Sequence, residues 1–282
     1  MLRSEAYARL KHSTLSVVGF TIVTFLFILA IVGPYIVPYD VALANPSARF
    51  IAPSQIHFFG TDELGRDVFS RVIAGVRVSL YSGFLILLIA ICIGVPVGAI
   101  SGYMGGAVDQ VIMRITDIFL SVPLVLWALA VAISLGGGLE MTIIAISTKW
   151  WTSYTRLARE RFLALKQEKF AEAAKASGIS DSRIIIRHLL PNSLTPIIVN
   201  ASMQIGDAII YVASLSFLGV GARPPTPEWG LMLQTARMYL PAVWWYSFFP
   251  GLFMSVAILG FNLVGDGLRD ILDPKFKGRI AY

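Results

Sequence analysis

Long stretches without a single charge constrain this chain more than any other feature. A helix rises about 1.5 Å per residue, so crossing a hydrocarbon core of roughly 30 Å takes about 20 residues. Residues 15–37, 78–101, 118–139 and 242–264 contain no Asp, Glu, Lys or Arg, and 193–220 contain only Asp207. Residues 141–155 are a weaker sixth candidate, interrupted by Lys149 just before Trp150 and Trp151. We read that segment as a span whose cytoplasmic end lets Lys149 snorkel to the interface. The expectation is an all-α membrane protein of six transmembrane helices.

Composition agrees. Hydrophobic residues make up 56% of the 282 and charged residues 14%, against about 25% charge in a soluble domain. Cys92 is the single cysteine, which excludes a disulfide framework. His12, His57 and His188 fall in three separate segments, so no metal site is expected. The net charge of +6 follows topology rather than nucleic-acid binding. With the N-terminus inside, the cytoplasmic segments hold sixteen of the 23 Lys and Arg residues and the outside connections six, with Lys149 the remaining one. That bias places both termini in the cytoplasm. The first stretch is too long for the apolar core of a signal peptide and ends in Gly33-Pro34-Tyr35, so it reads as a retained helix.

The expected order is a cytoplasmic tail (1–14), a first span (15–37), an extracytoplasmic loop (38–77) and a helical core (78–282). Within that core the spans are 78–101, 118–139, 141–155, 193–220 and 242–264. A cytoplasmic loop (156–192), an outside loop (221–241) and a tail (265–282) connect and follow them. The first outside loop carries Pro38, Pro46, Pro53 and the run Gly60-Thr61-Asp62-Glu63-Leu64-Gly65-Arg66-Asp67. It is either an ordered cap or a docking surface for an external partner. As a docking surface it would present Asp62, Arg66 and Asp67, with Trp229 from the second outside loop.

The cytoplasmic loop is amphipathic and basic. Residues 168–177 are helix formers, and Gly178 is the expected terminator. Ser180 or Asp181 can cap a second short helix that Pro191 closes, giving an elbow. Such a loop could lie on anionic lipid, but Ala173, Ala174 and Ala176 keep one surface small, which suits docking against another protein.

Inside the membrane, Asn200, Gln204, Asp207, Tyr211 and Ser214 are offset by 4, 7, 11 and 14 positions. At about 100° per residue they share an arc of roughly 80°. A mid-membrane aspartate costs about 2.5 to 3.5 kcal/mol on insertion scales, so it should face a partner or a wet cavity. The stripe is one wall of a polar pathway or a set of interhelical hydrogen bonds. Gly94, Gly98 and Gly102 form a ridge for close helix approach, and Pro123 and Pro250 are expected to kink or start helices. There is no Gly-Lys pair for a Walker-type phosphate loop, no His-Glu-x-x-His and no Gly-x-Ser-x-Gly. A polar pathway without an energy-converting site points to a subunit driven by something else. The rival is an ion-coupled secondary transporter using Asp207, which predicts internal symmetry that the sequence does not display.

At the elbow the chain resembles the permease subunits of bacterial ABC importers. Glu172-Ala173-Ala174, Gly178 and Leu190-Pro191 match the family signature at its spacing, with His188 where the family has Ile. Three further runs resemble the dipeptide and oligopeptide branch. They are Gly60-Thr61-Asp62-x-x-Gly65-Arg66-Asp67, Ser216-Phe217-Leu218-Gly219 with Pro224-Pro225-x-Pro227-x-Trp229-Gly230, and Asn262-Leu263-x-Gly265-Asp266-Gly267-Leu268-Arg269-Asp270-x-Leu272-Asp273-Pro274. The resemblance implies a multi-pass protein of the bacterial inner membrane that is not itself an enzyme. It implies a second, homologous permease subunit, two ATPase subunits that bind ATP and Mg, and an extracytoplasmic solute-binding protein. It also implies that Glu172 orients the elbow, that Ala173 and Ala174 allow it to dock in a groove of the ATPase, and that Gly178 makes the turn. Nickel, glutathione or oligosaccharide are alternative cargoes of the same machinery.

Overall fold

The computed structural model describes residues 14–272. Expectations for Arg3, Arg9, Lys11 and His12, and for Asp273, Pro274, Lys275, Lys277 and Arg279, lie outside the described residues. Among the described residues the secondary structure is helical, apart from one isolated bridge between Thr61 and Asp67.

Nine helices are used below: α1 (Thr14–Ile36), α2 (Val68–Met104), α3 (Gly106–Ser121), α4 (Leu124–Ser134), α5 (Leu139–Lys166), α6 (Lys169–Ala176), α7 (Asp181–Phe217), α8 (Trp229–Ala236) and α9 (Trp244–Leu272). Four of them, α1, α2, α7 and α9, are long and apolar enough to cross a membrane, and the bent pair α3–α4 makes a fifth crossing if it counts as one.

Three expectations are corrected. The helix that carries the second span begins ten residues before the apolar stretch, at Val68, where Asp67 caps it by accepting the Ser70 N–H. At 37 residues, α2 is about 55 Å long and must project beyond the hydrocarbon. The stretch expected as one span at 118–139 is instead two helices meeting at 87°. Val122 is extended at the break (φ −92°, ψ 135°), as a residue before proline prefers, because Pro123 crowds its α conformation. Finally, Pro191 does not close a separate short helix. The helix runs through it as α7, with a π turn over Ile185–Leu189. There the Leu190 N–H reaches the Ile185 carbonyl, five residues back. That widened turn makes room for a proline ring that would otherwise meet the preceding turn.

The bundle is held by close backbone approach more than by apolar transfer, since lipid is as apolar as the side chains it replaces. The glycine ridge of α2 is the clearest case. A Cβ on Gly94, Gly98 or Gly102 would lie 2.3, 2.3 and 2.6 Å from the carbonyl oxygens of Trp151, Thr155 and Arg159. The ridge therefore seats α2 directly on the α5 backbone, one turn per glycine.

The helices share a common polarity of ends. Tyr103, at the end of α2, accepts Lys166 Nζ at its carbonyl (2.5 Å) and donates its hydroxyl to Asp181 (2.5 Å). The ends of α2 and α5 and the start of α7 thus meet around the elbow. At the start of α3, Arg159 grips Asp109 with two nitrogens, 2.5 and 2.6 Å away, so α3 begins at this elbow end. After α4, Gly138 N–H donates to the Val220 carbonyl (2.9 Å) and Arg223 to that of Gly136 (2.6 Å). The bent pair therefore runs from the elbow end to the opposite, cap end.

Candidate functional site

Three places hold the residues that the sequence singles out: a cavity in the bundle, the elbow, and the cap.

The cavity lies where α3 gives way to α4. It has a volume of about 350 Å³ and is lined by Val122 and Pro123 of the break, Lys149 and Trp150 of α5, and Gln204, Asp207 and Tyr211 of α7, among others. Three of the five stripe residues therefore gather on its wall. Asn200 and Ser214 do not line it, and the Ser214 hydroxyl donates to its own helix at the Ile210 carbonyl (2.7 Å). Trp150 fixes the wall by donating its indole N–H to Gln204 Oε1 (2.9 Å) while meeting the Tyr211 ring edge-on at 5.3 Å. Two helices are thus locked one turn from Asp207.

Lys149 departs from expectation. It does not snorkel to an interface but is 5% exposed and lines the cavity. Among the described residues no carboxylate comes within ion-pairing distance of Lys149, and no cation does so of Asp207. Sequence reasoning took Lys149 as an interruption because it breaks the charge-free stretch 141–155, and it lies on a different helix from the stripe. Only the packing of α5 on α7 reveals the two as neighbours across one cavity.

The elbow is α6, the turn at Gly178 and the start of α7. Gly178 has φ +75°, the left-handed region that suits glycine. Its N–H bonds to the Lys175 carbonyl (3.0 Å) and that of Ile179 to Ala174 (3.3 Å), which satisfies two end carbonyls of α6 in a Schellman arrangement. Of the small residues, Ala174 is buried with Ala171 against Phe162, Ile184 and Leu189, whereas Ala173 and Ala176 face outward beside exposed Glu172 and Phe170. The expected single surface of alanines is thus two. Ala174 packs the elbow onto the bundle, while Ala173 and Ala176 remain available. The Tyr103–Asp181 and Lys166–Tyr103 bonds were not foreseen, since they join residues up to 78 positions apart.

The cap contradicts the docking expectation for its side chains. Asp62, Arg66, Asp67 and Trp229 are all buried. Asp62 accepts the N–H groups of Leu64 and Arg66, both at 2.9 Å, and pairs with Arg66 Nε at 2.7 Å. Asp67 holds Ser70 and the His57 ring (2.8 Å). The Trp229 indole donates to the Val72 carbonyl (3.1 Å). Arg71, almost fully buried, reaches the carbonyls of Val41 (2.7 Å) and Pro225 (3.3 Å), so it ties the two outside loops together. Glu228 caps α8 by accepting the N–H groups of Gly230 and Leu231. Burial pushes its carboxyl up while those two donors pull it down. Charge that looked like a docking face is internal framing, because a loop of irregular backbone needs polar side chains to satisfy its buried groups.

Comparison with known proteins gives a consistent set of relatives. Residues 94–278 match the family described as binding-protein-dependent transport system inner membrane component, and residues 2–53 match the N-terminal TM domain of oligopeptide transport permease C. The dipeptide transport system permease protein DppC of Alkalihalophilus pseudofirmus is 44% identical over 97% of this chain and 90% of its own length. A probable D,D-dipeptide transport system permease protein of Escherichia coli is 43% identical over 96% and 91%. The glutathione transport system permease protein GsiD of Pectobacterium atrosepticum is 40% identical over 97% and 91%. Among solved structures, a chain of the inward-facing MetNI methionine ABC transporter superposes with a TM-score of 0.59. It is 18% identical and covers 72% of this chain and 97% of that one, a likeness of fold.

Proposed function

The chain belongs to the family of binding-protein-dependent transport system inner membrane components, and from that premise we propose that it is a permease subunit of an ATP-driven importer of di- or oligopeptides in the bacterial inner membrane. It contributes half of the translocation pathway, and a second, homologous permease supplies the other half. Two separate ATPase subunits bind ATP and Mg and do the hydrolysis; this chain is not the enzyme. An extracytoplasmic solute-binding protein delivers the ligand to the cap through its exposed backbone and side chains. In this reading the chain makes six passes, with α5 as the one that is long but too charged to qualify on hydropathy, and its termini are cytoplasmic.

The observation that carries the reading is the elbow. Glu172, Ala173 and Ala176 stand on the outer face of α6, and Gly178 turns the chain directly into the 37-residue α7. The opposite face of α6, through Ala171 and Ala174, grips the ends of α2 and α5. A push on α6 from an ATPase groove is therefore passed to α7 as a rigid lever, moving Gln204, Asp207 and Tyr211 at the cavity wall. Asn200 and Ser214 extend the same face of α7 above and below it. Closing of the ATPase dimer on ATP opens the pathway outward, and hydrolysis resets it.

A pull-down of this chain from its native membrane, with mass spectrometry of the co-purifying proteins, tests the assignment. Two ATPases with Walker motifs and a second permease are expected. Recovery of the chain alone, with uptake that follows a proton gradient, would favour the secondary transporter. Relatives named for glutathione transport make glutathione the alternative cargo, which competition for uptake distinguishes.

A further inference from the structure

The cavity holds two opposite charges that nothing in the described chain neutralises. Lys149 and Asp207 line the same space, one from α5 and one from α7. Each lies within a turn of the Trp150–Gln204 hydrogen bond that fixes the two helices at 2.9 Å. Neither has an ion-pairing partner among the described residues. Lys149 is only 5% exposed and lines the cavity. An unpaired charge inside a membrane protein is costly, and it is retained where something pairs with it. Asp207 is exposed on the cavity side of α7 while Lys149 is buried, and the Trp150 indole, bonded to Gln204 and edge-on to the Tyr211 ring, holds the two helices in place. The cavity they both line, about 350 Å³, falls in the range of small-molecule sites, about 300–1,000 Å³.

Resting on the peptide-importer reading, we infer that this cavity is a transit site for the zwitterionic backbone of a short peptide, with Lys149 receiving its terminal carboxylate and Asp207 its terminal ammonium. A ligand bearing both charges neutralises both side chains at once. Trp150 and Tyr211 offer apolar faces and Gln204 a polar edge, none of which demands a particular peptide side chain. Recognition here is of the peptide's two ends, so the site passes many sequences while rejecting blocked ones.

The test uses the intact importer, purified with its partner subunits but without the binding protein, and labelled alanyl-alanine as the probe. Unlabelled N-acetyl-alanyl-alanine, alanyl-alanine amide and free alanine serve as competitors. Wild type should hold the probe, and each blocked dipeptide should compete about tenfold more weakly or worse, the usual loss when a charge-assisted hydrogen bond is removed. Lys149→Met should erase the discrimination against the amide but keep that against the acetylated form. Asp207→Asn should do the reverse, and Lys149→Arg should retain the wild-type pattern. That crossed pattern is one a purely structural role would not produce. Equal loss of all ligands in both variants, or unchanged discrimination, would overturn the inference. So would a complex that imports alanyl-alanine yet holds none, or one that holds free alanine equally well. ATP-driven uptake of alanyl-alanine by the same wild-type complex in proteoliposomes, with the binding protein added back, is measured in parallel. Its absence would instead bring down the peptide-importer reading itself.

Discussion

At Gly98 a methyl group would sit 2.3 Å from the Thr155 carbonyl oxygen and 2.8 Å from the Ala158 Cβ, whereas at Gly178 nothing lies within 4 Å and the constraint is φ +75° alone. The two glycines therefore predict different phenotypes. Gly98→Leu must push α2 off α5 and should lower the melting temperature of the purified protein sharply. Even Gly98→Ala should cost about 1–3 kcal/mol through overpacking. An unchanged melting curve for both would refute the close approach. Gly178→Val should cost only about 1–2 kcal/mol of backbone strain and leave the protein inserted, but misaim α6. The expected readout is ATP hydrolysis that no longer responds to the loaded binding protein; normal uptake would count against the elbow as the coupling device. Gly178 was legible in the sequence because a stop after helix formers is a local signal. The fate of Trp229 was not, because an outside tryptophan beside prolines reads the same whether it faces lipid or, as here, donates to Val72 at full burial. Lys149 was misplaced for the same reason, since its surroundings belong to another helix.

Among the elements, apolar length gave the helix α1 to within a residue at each end, whereas α7 begins twelve residues before the apolar stretch at 193 and α9 ends eight residues beyond 264. Ends were less legible. Helices α2 and α5 run past the lipid into capped and charged turns, where Asp67 and Lys166 decide the boundary and hydropathy does not. The break at Val122-Pro123 could be suspected from the proline, but its 87° angle comes from packing. The elbow depends on tertiary ties as well as on its own turn. Tyr103→Phe keeps the ring among Ala99, Phe162 and Ala171 but removes the hydroxyl that donates to Asp181. Stability should fall by about 1 kcal/mol or a little more, while coupling between binding-protein-stimulated hydrolysis and uptake should loosen, with more ATP spent per peptide. An unaltered ratio of ATP hydrolysed to peptide imported would show that the bond only packs the elbow.

For the whole molecule, the arrangement is a cap that frames one end, an elbow at the other, and a cavity between helices that connect them. The cap is framed by the buried network of Asp62, Arg66 and Arg71, and in the function proposed above movement at the elbow is passed along α7 to the cavity wall. No Walker-type phosphate loop occurs in the sequence, and in the function proposed above the driving energy comes from separate ATPase subunits, so the polar stripe could be found by periodicity while its driver could not. The measurement that bears most directly on this account is uptake of a labelled dipeptide into proteoliposomes containing the complex purified through this chain. Accumulation should require ATP on the elbow side and the binding protein on the cap side, and should persist when the proton gradient is collapsed. Accumulation driven by a proton gradient without ATP would contradict it.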